Sequence, residues 1–196
     1  MQGPMAESLT RRAKEDLTSV FTQAHMQNPM MLALGGPAGE SGALVRALVD
    51  FHWGMKSLLL CGIRMDEGLV CGCLCVDLRE DLSLVALLRL AWRVMRSVGW
   101  AAIGPLLDVQ RYKPLYRERH LELVALGTLP ARQGQGLGRR LLQFLHEQAM
   151  RAGYDGILLL ADRSGPSFDL YVSEGFEVER EFELAKQKLC WMRRAV

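Results

Sequence analysis

The run Gln133-Gly134-Gln135-Gly136-Leu137-Gly138-Arg139 constrains this chain more than any other segment. It lies between an apolar, strand-like stretch at 120–129, stopped by Pro130, and a helix-patterned stretch at 136–152. In the latter, Leu137, Leu141, Leu142, Leu145, Ala149 and Met150 recur at helical spacing, and Gly153 is a good C-terminal stop. Three glycines let the backbone curl tightly without side-chain clashes. The first N–H groups of a helix have no acceptor within it, and the helix dipole adds partial positive charge there. The turn is therefore an anion site suited to a pyrophosphate, with formal charge added by Arg132, Arg139 and Arg140.

Three readings of this loop compete. A P-loop needs lysine and a hydroxyl at the helix start, and Gly138-Arg139-Arg140 has neither. A dinucleotide fingerprint needs GxGxxG, whereas the spacing here is GxGxG, with no acid about 20 residues on. The glycines by themselves leave a ligand-free loop as an equal third reading.

The rest of the chain reads as alternating elements. An amphipathic helix is expected over 8–27, and a second, capped by Ser41, runs to Phe51. Runs at 57–64 and 69–77 flank Met65-Asp66-Glu67-Gly68 and form a hairpin. Helices follow over 82–98 and 106–119, then the strand at 120–129, the helix at 136–152 and a strand at 156–161. A short helix at 166–174 and strands at 176–184 and 188–193 complete the order. That order predicts a mixed α/β sheet with helices on both faces, in one domain over 1–196 with a helical insertion at about 80–119.

Composition removes several function classes. A net charge of +2 does not favour nucleic acid. The most apolar stretch, 82–107, carries Arg89, Arg93 and Arg96, which a membrane span would not tolerate. The five cysteines (Cys61, Cys71, Cys73, Cys75 and Cys190), with no apolar signal core at 1–12, point to reduced thiols in the cytoplasm. Cys71, Cys73 and Cys75 alternate along one strand face, so buried thiols are expected rather than a metal site.

The block Thr128-Leu129-Pro130-Ala131-Arg132-Gln133-Gly134-Gln135-Gly136-Leu137-Gly138 resembles the acyl-CoA signature of the GNAT acetyltransferase superfamily, whose core is Gln/Arg-x-x-Gly-x-Gly/Ala. Leu170-Tyr171-Val172-Ser173-Glu174-Gly175-Phe176 resembles its Leu-Tyr-x-x-x-Gly-Phe segment, at the right distance and after a strand. The likeness covers about the last 80 residues well. It implies a sheet splayed between the fourth and fifth strands, with the helical insertion before the fourth. It further implies acetyl-CoA as cosubstrate, with pantetheine paired to the fourth-strand edge at Leu126, Gly127 and Thr128. Its pyrophosphate would sit on the loop Gln133, Gly134, Gln135, Gly136, Leu137, Gly138 and Arg139. Many members carry asparagine seven residues before the tyrosine; here that position is Ser164, with a shorter reach.

An amine acceptor resembling lysine has a pKa of ~10.4, so freeing its lone pair at pH 7 costs roughly 4.6 kcal/mol. A positioned base meets that cost. Strand alternation places His120, Glu122, Val124 and Leu126 on one face, taken as the cleft face. Glu122 lies eleven residues before Gln133, the spacing of the base in the histone-acetylating branch, and His120 is the second candidate as base or relay. The resemblance makes Tyr171 the acid that protonates the departing thiolate. An amide at Leu126 or Gly127 would steady the thioester oxygen.

The expectation is an N-acetyltransferase acting on a small-molecule or peptide amine, with no metal, no nucleic acid and no stable membrane insertion. Its oligomeric state is open, a homodimer included. A non-catalytic acyl-CoA-binding module on the same fold is the alternative, and a nucleotide-binding protein, stabilised by ATP, is a third class. The insertion, with Trp92 and Trp100, is expected to cap an apolar acceptor cleft.

Overall fold

A single mixed sheet of seven strands organises the chain. The computed structural model describes residues 4–26, 28, 38–80, 88, 91, 92, 95, 96, 99, 100 and 103–196. The strands are β1 (Ala6–Ser8), β2 (Leu58–Met65), β3 (Gly68–Asp77), β4 (His120–Thr128), β5 (Gly156–Asp162), β6 (Glu177–Leu184) and β7 (Gln187–Ala195). Between them lie α1 (Lys14–His25), α2 (Ala38–Trp53), α3 (Ile103–Arg111), α4 (Leu137–Arg151) and α5 (Phe168–Ser173). The spatial order is β1-β2-β3-β4-β5-β7-β6, open at both ends. Every neighbouring pair is antiparallel except β4 and β5, which α4 joins as a crossover.

Two apolar layers sandwich this sheet. On one face Leu17, Val20 and Phe21 of α1 and Leu44 of α2 bury against Leu60, Leu74, Leu158 and Trp191. On the other, Leu137, Leu141, Leu142, Leu145 and Ala149 of α4 pack on Ile63, Leu121, Leu123, Ile157 and Leu159, whereas Met150, expected in the same stripe, is exposed. Each fully buried leucine of that stripe contributes about 2 kcal/mol by leaving water. All five cysteines are free and buried, and they belong to this second layer. Among the described residues no cluster of His, Cys, Asp or Glu could hold a metal, and no helix is long and apolar enough to cross a membrane.

Several boundaries differ from the sequence reading. The stretch taken as helix from residue 8 begins with β1, too short and polar to show alternation; Ala6, Glu7 and Ser8 pair with Ile63, Gly62 and Cys61 of β2. A single 3₁₀ turn, Arg11–Ala13, then leads into α1. Helix α2 starts at Ala38, so Ser41 lies inside it and is not its cap. The second insertion helix is shorter than expected and earlier, ending at Arg111. The helix expected over 82–98 lies largely outside the described residues; of those described, Leu88, Trp92 and Trp100 are exposed.

Candidate active site

β4 and β5 separate midway. Their parallel pairing runs from His120 opposite Gly156 to Leu123 opposite Leu159 and then stops, although both strands continue. Register against β3 shows why. Leu74 faces Ala125 but Cys75 faces Leu123, so Val124 is an extra residue. Such a bulge bends the strand and sharpens its twist. The opening is lined by Leu123, Val124, Leu126, Leu160, Ala161 and Tyr171. The bulge also corrects the alternation argument: Val124 packs with the α1 layer, whereas Leu126 crosses to the α4 layer.

Beside this opening stands the start of α4. Its N-cap is Gly136 at φ 73°, two residues after Gly134 at φ 76°, and no side chain caps the helix. A Cβ at either glycine would meet nothing within 4 Å, so the requirement is backbone conformation and not space. The amides of Leu137, Gly138 and Arg139 have no acceptor within the helix. Arg140 is the first to reach back, to the Gly136 carbonyl at 3.1 Å. Gln133 Nε2 donates to the Thr128 carbonyl at 3.2 Å, which ties the loop to the end of β4. The arrangement fits a diphosphate: among the described residues no protein group competes for these N–H groups. Gly136→Ala is expected to cost about 1–2 kcal/mol from the left-handed backbone alone. It should also weaken coenzyme A binding, both read from thermal unfolding with and without coenzyme A.

A cleft of about 790 Å³ joins the two features. It collects most of the expected binding residues: Leu126, Gly127, Thr128, Gln133, Gly134, Gly136, Leu137, Gly138 and Arg139. Gln135 is exposed outside it. Ser164 is exposed too, its amide bonded to Asp162 Oδ1 at 2.9 Å, and the neighbouring wall is Pro166 and Ser167. Two of the three arginines are already paired. Arg132 binds Glu67 at 2.5 Å, and Arg139 binds Glu174 at 2.9 Å. The backbone, more than the guanidinium groups, is thus what this loop has free to offer an anion.

His25, at the end of α1, lines both the cleft and the opening, and sequence reasoning missed it. Its Nε2 is buried without a hydrogen-bond partner. Burial lowers its pKa, against the opposing pull of the Leu126 backbone, so the ring is neutral at pH 7. The signal lies in Gly127: a Cβ there would stand 3.0 Å from both Phe21 Cδ1 and Ala24 Cβ. A side chain there would push α1, and His25 with it, back from β4 by some tenths of an ångström.

The three catalytic candidates occupy different settings. Tyr171 lines the opening, packs edge-on against Phe176 at 5.8 Å, and is pushed up to about 12 by burial. Glu122 stands on β4 one residue below the opening. Its Oε2 holds Lys113 Nζ in a close, largely buried ion pair, while Oε1 has no hydrogen bond among the described residues. His120 is fully buried and stacked on Tyr116 at 4.1 Å. Arg193 Nε donates to its Nε2 at 3.0 Å, and its Nδ1 lies 3.2 Å from the Glu118 carbonyl. Both nitrogens are engaged, which leaves His120 without a site for a substrate proton.

Residues 51–176 match the model of the Acetyltransferase (GNAT) family. Solved structures of the same fold include one described as histone acetyltransferase HPA2 and related acetyltransferase from Corynebacterium glutamicum. It is 20% identical, with 98% of this chain and 96% of that one covered and a TM-score of 0.69. Arylalkylamine N-acetyltransferase 2 from Aedes aegypti is 16% identical, with 99% of each chain covered and a TM-score of 0.69. PaiA N-acetyltransferase from Thermoplasma acidophilum, solved with coenzyme A, is 13% identical over 100% of each chain, with a TM-score of 0.61. At these identities the likeness is one of fold. No curated protein matches the sequence.

Proposed function

The chain belongs to the GNAT acetyltransferase family, and from that premise we propose that it transfers an acetyl group from acetyl-CoA to a primary amine by direct attack in a ternary complex. The observation that carries this reading is the uncapped start of α4 opening into the same cleft as the splayed edge of β4. A diphosphate on the first and a pantetheine arm along the second would bring a thioester to Tyr171. That coenzyme A accompanies a structure of this fold supports the choice of cosubstrate.

The residues then divide the work. The amine nitrogen attacks the thioester carbon, and the carbon–sulfur bond breaks. Glu122, through its open Oε1, takes the proton that the amine sheds. An amide at Leu126 or Gly127, on the stretch of β4 without a β5 partner, faces the developing oxyanion. Tyr171 supplies its O–H to the departing sulfur. The acceptor is a small-molecule or peptide amine; relatives in fold include proteins named for arylalkylamines and polyamines.

Thermal unfolding with acetyl-CoA, ATP and NAD tests the reading. At ~100 times its dissociation constant a ligand adds about 2.7 kcal/mol, which raises Tm by roughly 5–10 °C in a chain of this size. Acetyl-CoA is expected to produce that rise, and ATP and NAD are not. A rise with ATP alone would overturn the assignment. Binding of acetyl-CoA without acetylation of any amine in a broad panel would favour a non-catalytic acyl-CoA-binding module.

A further inference from the structure

A second cavity, of about 310 Å³, lies at the free end of β6 and β7 and shares no residue with the cleft. His146 of α4, Gly175, Arg194 of β7, and the residues Glu177, Glu179 and Arg193 face it. Two of its polar atoms are orphans: Arg194 Nη1 and His146 Nδ1 are both buried without a hydrogen-bond partner. Neither side chain forms an ion pair among the described residues. The rest of each side chain is partly exposed, but these two buried nitrogens face the same cavity with hydrogen-bonding capacity that the described residues leave unused.

The charges around the cavity say what that occupant is. Arg193 and Glu179 neutralise each other at 3.5 Å, and Arg193 also donates to His120. Glu177 is exposed at the rim. The unspent groups inside are therefore the Arg194 fork and an imidazole nitrogen that serves as donor in one tautomer. Gly175, at φ 82°, places no side chain between them and the opening; a Cβ there would stand 3.8 Å from Arg194 Nε.

We infer that this cavity is a binding site for a small oxyanion, a carboxylate or a phosphate, held by Arg194 and His146 and separate from the acyl-transfer cleft. Burial, and then the charge of Arg194, depress His146 against the opposing pull of Glu147, which favours a neutral ring. A bound anion offsets both effects, which makes the imidazole a direct reporter of occupancy.

The test follows the imidazole resonances of the full chain during titration with inorganic phosphate and, separately, with acetate, at fixed ionic strength balanced by chloride. The His146 signals are identified by their loss in His146→Gln. They are expected to shift along a saturating curve with one of the two anions, and the anion that saturates names the ligand class. In Arg194→Gln the half-saturating concentration should rise about tenfold or more, as for a lost charge-assisted hydrogen bond. Saturating coenzyme A should leave the curve unchanged. A shift that never saturates with either anion, a curve unchanged in Arg194→Gln, or displacement by coenzyme A each overturns the site while leaving the acetyltransferase reading untouched. If Arg194→Gln does not fold, the anion-dependent rise in Tm of the wild-type chain must vanish in His146→Gln; a rise that persists there has the same adverse meaning.

Discussion

Tyr171→Phe is expected to lower kcat by about a hundredfold while the KM for acetyl-CoA stays within about twofold, the pattern of a lost general acid. The ring stays in place, packed on Phe176, and its hydroxyl has no hydrogen-bond partner among the described residues. Folding stability should therefore change by less than about 0.5 kcal/mol. The size of the effect follows from proton energetics. A hydroxyl at about 12 is fully protonated at neutral pH. Passing its proton to a thiolate with an ordinary pKa of ~8.5 is uphill by about 3.5 units, or roughly 4.8 kcal/mol. The leaving thiolate, however, emerges in the same apolar opening, where burial raises its basicity too. In the proposed mechanism the tyrosine would therefore act by hydrogen bonding to sulfur as charge builds, with transfer completing while water is excluded.

The pH profile separates this role from others. An acid raised to about 12 stays protonated below that value. Tyr171 should then impose no alkaline fall in kcat below about pH 11, where an ordinary tyrosine would impose one near 10. If the wild-type enzyme loses kcat between pH 9 and pH 10 and Tyr171→Phe does not, the hydroxyl is an exposed acid and the burial argument fails.

How far the sequence revealed this site depends on what positions each part. The geometry of the loop before α4 was legible because local rules govern it: a strand stop at Pro130, left-handed glycines and an amphipathic helix are all written in consecutive residues. The bulge at Val124 was not, because register is a property of two strands and only β3 shows that Val124 is supernumerary. Leu126 consequently faces the layer opposite to the one that alternation predicts. Strand β1 escaped detection for a similar reason, since three residues carry no period and their pairing with β2 defines them. His25 is brought to the cleft by a contact between Gly127 and α1 that joins positions about a hundred residues apart. The spacing argument at Ser164 fixed a place in the chain but not a direction, and the serine is exposed.

The same distinction bears on Glu122, where Lys113→Met is expected to destabilise the fold by about 3 kcal/mol, or roughly 6–12 °C in Tm. Both side chains are largely covered, at 15% and 14% exposure, so the variant leaves a poorly hydrated carboxylate without its counter-ion. Lys113 also sits 5.6 Å over the Trp191 ring, a contact methionine keeps only in its apolar part. Adding Glu122→Gln removes the stranded charge, and the double variant should recover most of the loss, because an uncharged pair of similar volume carries no desolvation penalty. Turnover then decides what Glu122 is. A base on β4 predicts that the double variant regains stability but stays slow, with a rate that climbs as rising pH frees the acceptor amine unaided. An anchor that merely pins the segment after α3 to the sheet predicts that stability and turnover return together. The second outcome would remove Glu122 from the chemistry and make His25, the neutral imidazole at the cleft with an unpartnered nitrogen, the next residue to replace.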